Sequence, residues 1–229
     1  MSEAPVGAAR PDDQGFMLPE RKARIDAVIS QRTRTLTVVM EAFADPQNTN
    51  AVLRTAESFG VQEVHVVVGP QKRFDRNKKI SQNADKWLEV TRWKDTASCL
   101  VALKARGFRI YATHLGSRSE SLASLSFAEP VALVFGNEHA GVSEEAGRLA
   151  DACFAIPMRG FSQSFNVSVA AAICLARAVD RREVERGRHG DLPPAELEAL
   201  RAEFYALSVN QRAKLAKAAQ AAEKRAGKE

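Results

Sequence analysis

From Thr35 onward the apolar positions fall into two alternating patterns. Short, largely apolar runs, the first of them rich in β-branched residues, predict strands at Leu36–Phe43, Val61–Gly69, Phe108–Leu115, Val131–Phe135 and Asp151–Ile156, with a shorter one at Trp87–Trp93. Between them, helical spacing predicts helices over Asn48–Phe59 and Thr96–Arg106, and another that starts at Ser143. Asn48, Thr96 and Ser143 are the expected N-caps, Gly60 and Gly107 the stops, and Glu144 and Glu145 suit the positive end of the third helix dipole. Strands this uniformly apolar belong in a sheet covered on both faces. The alternation therefore predicts an α/β fold with a mostly parallel sheet.

The flanks follow a different pattern. Residues 1–16 are rich in Ala, Pro, Gly and Asp and are expected to be disordered. Residues 17–34 predict a short basic helix with Leu18, Ile25, Val28 and Ile29 on one face. A break at 189–194 is followed by a helix over 195–207, with Leu197, Leu200 and Phe204 on a common face, and by an Ala/Lys-rich tail from Gln211. The expected organisation is a disordered 1–16, a main domain over 17–188 and a basic helical extension over 189–229.

In parallel sheets ligands bind beyond the carboxyl ends of the strands. Thr113, Gly136 and Ile156 stand at three such ends. After Ile156 the chain passes Pro157 and Gly160 and enters an alanine-rich helix, with Ser162, Ser164, Asn166 and Ser168 crowding the junction. Such a junction can present free N–H groups to a ligand, or be an ordinary capped strand–loop–helix. No GxGxxG fingerprint follows any of the predicted strands, so a dinucleotide-binding reading is weak.

Composition narrows the partners. The 229 residues are 45% hydrophobic and carry a formal net charge of +5, with a pI near 9.3. That balance suits a polyanion. Part of it sits in the basic segment 70–80 and part in the tail. Cys99, Cys153 and Cys174 have no metal-ligand spacing and read as small hydrophobes in a reducing compartment. No apolar run reaches membrane-spanning length and no signal-peptide pattern opens the chain, so a cytoplasmic protein without a membrane span is expected.

Three segments, taken in order, resemble the SPOUT superfamily of RNA methyltransferases, and most closely its TrmH-type tRNA guanosine 2′-O-methyltransferases. They are Asn48 to Gly60 with Arg54 inside; Leu133 to Glu145 with Gly136, Glu138 and Gly141; and Ile156 through Ser164 and Asn166 to Ala172. The resemblance covers roughly residues 20–190. It implies a C-terminal part tied into a deep trefoil knot, a homodimer, S-adenosyl-L-methionine held in the knot, and no metal. It implies methyl transfer to a ribose 2′-hydroxyl in tRNA, at guanosine 18 of the D-loop. The alternatives are a ribosomal RNA 2′-O-methyltransferase and an RNA-binding protein that has lost catalysis. Only about 35 residues precede the first core strand, too few for the separate RNA-binding domain frequent among the ribosomal relatives.

The same resemblance distributes the roles. Arg54 matches the catalytic arginine, expected on one helix face with Asn48, which orients Arg54 or the ribose or simply caps the helix. Glu138 matches a carboxylate near the active site and is a candidate to pair with Arg54 across the dimer. Ser164 and Asn166 are expected to hold the loop or hydrogen-bond the catalytic groups. Thr113, Gly136, Ile156 and Phe165 are expected to grip the methyl donor, and the alanine face behind them to meet a partner subunit. Arg159 and Ser162 depart from the apolar stretch frequent in relatives, which puts the pocket walls in question there. His114 and His139 lie beside these motifs, where a structural role is the commoner one for a lone histidine.

Overall fold

The computed structural model describes residues 17–68, 85–114 and 119–209. The predicted disordered N-terminus, the basic segment 70–80 and the tail from Gln211 lie outside these. Residues Arg32–Asp191 form one compact unit. Its seven strands are β1 Leu36–Glu41, β2 Glu63–Val67, β3 Glu89–Trp93, β4 Arg109–Thr113, β5 Glu120–Ser121, β6 Val131–Phe135 and β7 Ala152–Ala155. They make a single sheet in the order β3-β2-β1-β6-β4-β7-β5, and every pairing is parallel. The helices of this unit are α2 Pro46–Ser58, α3 Thr96–Ala105, α4 Glu144–Leu149 and α5 Val167–Arg186.

The period-2 alternation of each strand feeds two cores. Leu36, Val38 and Met40 of β1, with Val131, Leu133 and Phe135 of β6, pack with Val52 and Leu53 of α2 and with Ala171, Cys174 and Leu175 of α5. Val39, Ala132 and Val134 turn to the opposite face and meet Cys99, Leu100 and Leu103 of α3 and Ala146 of α4. The alanine face of α5 is thus partly spent inside its own chain: Ala171 and Ala178 are fully buried, and the helix packs along α2. Burial pushes the thiols of Cys99 and Cys174 up to about 12, so both behave as apolar filling.

Element boundaries moved where a short polar residue competes for the cap. The cap of α2 is Asp45, whose carboxylate accepts from the Gln47 N–H, and Pro46 supplies the first turn. Asn48 lies inside the helix. Asp95, one residue before the expected Thr96, caps α3. Ser143 caps α4 as read. The 3-10 turn Asp85–Trp87 was not anticipated, nor were the two-residue strand β5 and the 3-10 turn Leu122–Ser124. The segment after them buries Leu125 and Phe127, the latter edge-on to Tyr111 at 5.9 Å.

The other unit comprises the described parts of Met1–Gln31 and Leu192–Glu229. It holds α1 Pro19–Ser30 and a helix, α6, over residues 194–209. Asp26 of α1 accepts from Arg201 Nε at 2.8 Å and Tyr205 Oη at 3.0 Å of α6, and Arg21 Nε donates to Ser208 Oγ at 3.1 Å. The sheet unit ends at Asp191, and α1 and α6 belong to the same unit. No helix among the described residues is long and apolar enough to cross a membrane.

Candidate active site

The order of the strands places the site. The chain runs outward from β1 to β3, crosses to β4, and returns to put β6 between β1 and β4. Such a switch point opens a crevice at the carboxyl ends of the strands. Here the ends of β4, β6 and β7 border a cleft of about 740 Å³, within the range of small-molecule sites. Thr113, Gly136, Ile156 and Phe165 all line it, as do Glu138, Ser164 and Asn166. The lining passes from Met158 to Gln163 and leaves out Arg159, Phe161 and Ser162, which are exposed. The departing residues of the third motif therefore stay off the cleft walls.

The loop between β6 and α4 forms one wall. Asn137, whose role was not read from the sequence, organises it. Its Oδ1 accepts from the N–H groups of His139 (2.9 Å) and Ala140 (3.1 Å), its carbonyl accepts from the Gly141 N–H (2.8 Å), and its Nδ2 donates to the Ala42 carbonyl (2.8 Å). Ala42 has a φ of 53°, uncommon for a residue with a side chain, and it turns β1 into the segment that meets this loop. Gly136 is needed because the loop doubles back on it. A Cβ there would lie 2.1 Å from the Gly141 carbonyl carbon and the Val142 nitrogen. Gly136→Ala is expected to destabilise the protein by about 1–3 kcal/mol. Thermal melts check this; an unchanged melting temperature would count against so close an approach at this turn.

A second network crosses from this loop to α2 and α5. Glu138 accepts from the N–H groups of Ala44 (2.9 Å) and Asp45 (3.3 Å) and from Asn48 Nδ2 (2.8 Å). Asn48 Oδ1 in turn accepts from Asn166 Nδ2 at 3.1 Å, and Asn166 Oδ1 caps α5 by accepting from the Ser168 N–H (2.9 Å) and Oγ (2.6 Å). In each amide the oxygen accepts and the nitrogen donates, so the chain of bonds has a single sense. Burial pushes the Glu138 carboxyl up, but the Ala44 N–H, the Asn48 amide and the Asp45 N–H outweigh it and hold the group below the usual carboxylate range. Its contribution to stability is complete above a pH of about 4 and is lost as pH falls through the lowered pKa.

This geometry separates residues that the sequence reading joined. Asn48 and Arg54 do not share a face: six residues leave them about 120° apart around the helix, with Asn48 buried and Arg54 exposed. Among the described residues the Arg54 guanidinium has no hydrogen-bond or ion-pair partner, and Arg54 does not line the cleft. Among the described residues the side chain that bonds Glu138 is Asn48. Ser164 borders the cleft without a side-chain hydrogen bond to any described residue, and the bonding role passes to Ser168. Thr113 turns its hydroxyl to the Val134 carbonyl at 3.1 Å. His114 and His139 both line the cleft.

The sequence profile of the SpoU rRNA Methylase family matches residues 35–176, from the threonine before β1 into α5. The chain belongs to the SpoU methylase family. A tRNA (guanosine(18)-2′-O)-methyltransferase of Thermus thermophilus is 40% identical over 162 residues, which is 71% of this chain and 83% of that protein. The crystal structure of an Aquifex aeolicus TrmH/SpoU tRNA modifying enzyme superposes with a TM-score of 0.72 at 31% identity, covering 82% of this chain and 96% of that one. An AdoMet-bound rRNA methyltransferase from Sinorhizobium meliloti gives a TM-score of 0.56 at 26% identity, covering 68% and 59%. The cleft and the Glu138–Asn48–Asn166 network both lie inside the span matched by the SpoU profile.

In this SpoU methylase the network makes a pH-dependent prediction. Asn48→Asp places a second carboxylate against Glu138 and removes the donor, so it should cost about 1–3 kcal/mol at pH 7. Two adjacent carboxylates raise one pKa, so the cost should shrink as pH falls through that raised value and one of them protonates. Denaturant midpoints of variant and wild type at pH 7 and pH 4.5 test this; an equal gap at both pH values would refute it.

Proposed function

We propose that this protein transfers a methyl group from S-adenosylmethionine to the ribose 2′-hydroxyl of guanosine 18 in tRNA. Membership of the SpoU family, together with 40% identity to a relative named for that reaction, carries the reading. The cleft fits such a donor. Its walls combine backbone at three strand ends with apolar side chains, including Ile156, Met158 and Phe165, and Gly136 permits a tight turn. When bound, S-adenosylmethionine supplies an electrophilic methyl group on a sulfonium centre.

The chain's own residues must then position the ribose and manage the proton of its 2′-hydroxyl. Arg54 is proposed as the catalytic residue for this. A guanidinium remains charged in proteins, so it serves better as a clamp on a neighbouring phosphate and a stabiliser of the developing alkoxide than as a neutral base. The Glu138–Asn48–Asn166 chain of hydrogen bonds holds the β6–α4 loop, α2 and the start of α5 in register. Thr113, Gly136, Ile156 and Phe165 are proposed to hold the donor. Ser164 is proposed to face the reacting groups.

The C-terminal part is proposed to be knotted, with the loop over 156–166 closing on the cleft, and the protein to act as a cytoplasmic homodimer. Two observations support an action across a dimer: Arg54 is exposed and off its own chain's cleft, and Phe161 and Val169 are exposed near the cleft. Basic charge in α1 and the tail is proposed to contact tRNA backbone. Purified protein incubated with labelled S-adenosylmethionine and a tRNA transcript should yield 2′-O-methylguanosine at position 18 after nuclease digestion. Incorporation into ribosomal RNA with none into any tRNA would overturn the choice of substrate.

A further inference from the structure

Glu41 ends β1 and is buried, with 4% of its surface exposed. Among the described residues no cation pairs with it. A buried carboxylate without a counter-charge is costly unless its lone pairs are used. Those of Glu41 are. Its Oε2 accepts from the Ser143 N–H at 2.8 Å, and its Oε1 accepts from Ser143 Oγ at 2.6 Å and from Thr96 Oγ1 in the first turn of α3. Ser143 Oγ also accepts from the Ala146 N–H at 3.1 Å to cap α4, so its proton is committed to Glu41.

These bonds bear on the cleft because of where Ser143 stands. The wall-forming segment Gly136 to Val142 is tethered at its near end, where Asn137 reaches the Ala42 carbonyl and Glu138 reaches the N–H groups of Ala44 and Asp45. Its far end is tethered at Ser143, to Glu41. Both ends of the wall are therefore anchored to one stretch of chain, residues 41–45. The far anchor is also the nearer one to Gly141 and Val142, the backbone that presses on Gly136.

We propose that Glu41 is a positioning residue for methyl-donor binding: by holding Ser143 it fixes the Gly136–Val142 wall of the cleft in its binding-competent form. The inference rests on the reading of this cleft as the donor site. A carboxylate suits the role better than an amide. With Gln at 41, one end of the side chain becomes a donor facing either the Ser143 N–H or two hydroxyls, one of which already accepts from Ala146.

The test measures binding of S-adenosylmethionine and of its demethylated product by calorimetry for wild type, Glu41→Gln and Glu41→Ala, at a temperature where circular dichroism shows each folded. Wild type must bind; if it does not, the reading of the cleft fails and the role of Glu41 falls with it. Given wild-type binding, Glu41→Gln should weaken both ligands about tenfold and Glu41→Ala at least as much. In steady-state assays the KM for the methyl donor should rise while kcat and the KM for tRNA stay within about twofold of wild type. Ser143→Ala combined with Glu41→Gln should cost less than the sum of the two single changes. If Glu41→Ala does not fold, Glu41→Gln and the combination with Ser143→Ala carry the test. A folded Glu41→Gln with a lowered melting temperature but wild-type donor affinity and KM would overturn the proposal, since a residue that only stabilises the fold would give that result.

Discussion

Replacing Arg54 with alanine is expected to lower methyl transfer about a hundred- to thousandfold while methyl-donor affinity stays within about twofold of wild type. Two observations separate the two effects. Arg54 is exposed on α2 and absent from the cleft walls, so nothing that shapes the donor site is removed. Its guanidinium is not engaged by any described residue, so the fold loses no ion pair. What disappears is a planar cation able to take two oxygens of a phosphate at once. Arg54→Lys keeps the charge and loses the fork, and its rate should fall between wild type and Arg54→Ala. Single-turnover rates with saturating donor and tRNA, set beside calorimetric donor affinity, give both numbers. Near-normal turnover by Arg54→Ala would remove it from the mechanism, and a parallel loss of donor affinity would place it in the donor site instead.

Much of the sheet was legible because its signal is local. Short, largely apolar runs mark β1, β2, β4, β6 and β7, as expected of parallel strands covered on both faces. The ends of β4, β6 and β7 then follow from the chain direction, which is why Thr113, Gly136 and Ile156 could be named before their convergence was seen. The caps were less legible. Asp45 and Asp95 took the positions expected of Asn48 and Thr96, because several polar residues in a row can each cap a helix and only packing selects one. Once Asp45 caps α2, Asn48 is one turn inside and free to reach Glu138 and Asn166. The sequence reading thus had the wrong local geometry for Asn48, and the shared face with Arg54 went with it.

Long-range polar contacts were not legible at all. Asn137 looks like any turn residue, and its Nδ2 bond to Ala42 spans 95 positions. Glu41 lies inside the predicted strand Leu36–Phe43, where nothing in the sequence marks what a lone acid would bond. Its partners Thr96 and Ser143 lie 55 and 102 positions away. The two-residue β5 is too short to carry a period, and is held by its pairing to β7. The charged second half of α5 reads as a solvated face, yet Arg182 within it is fully buried. No local pattern distinguishes that arginine from its exposed neighbours.

Arg182 supports the second large prediction. Asp191→Ala should destabilise the protein by about 3–5 kcal/mol, because it strands a buried cation. Asp191 Oδ2 accepts from Arg182 Nη2 at 2.8 Å, Arg186 Nη1 at 3.3 Å, Thr33 Oγ1 at 2.6 Å and Thr35 Oγ1, while Oδ1 accepts from the Arg34 N–H at 3.0 Å. Burial, with Arg186 adding to it, pulls the pKa of Arg182 down to about 10, which leaves it charged at neutral pH and in need of its partner. Burial alone would push the Asp191 carboxyl up, but the bonds from Thr33, Thr35 and the Arg34 N–H and the charge of Arg182 hold it low. Its contribution to stability is therefore complete above a pH of about 4 and disappears as pH falls through the lowered pKa. The gap between wild type and Asp191→Ala in urea midpoint should accordingly be widest near pH 7 and close in acid. Adding Arg182→Met to Asp191→Ala removes the stranded charge and should recover part of the loss. The network ties α5 to the residues just before β1, at the opposite end of that strand from the cleft. Folded Asp191→Ala should accordingly keep its donor affinity, and the loss should appear only in the unfolding transition.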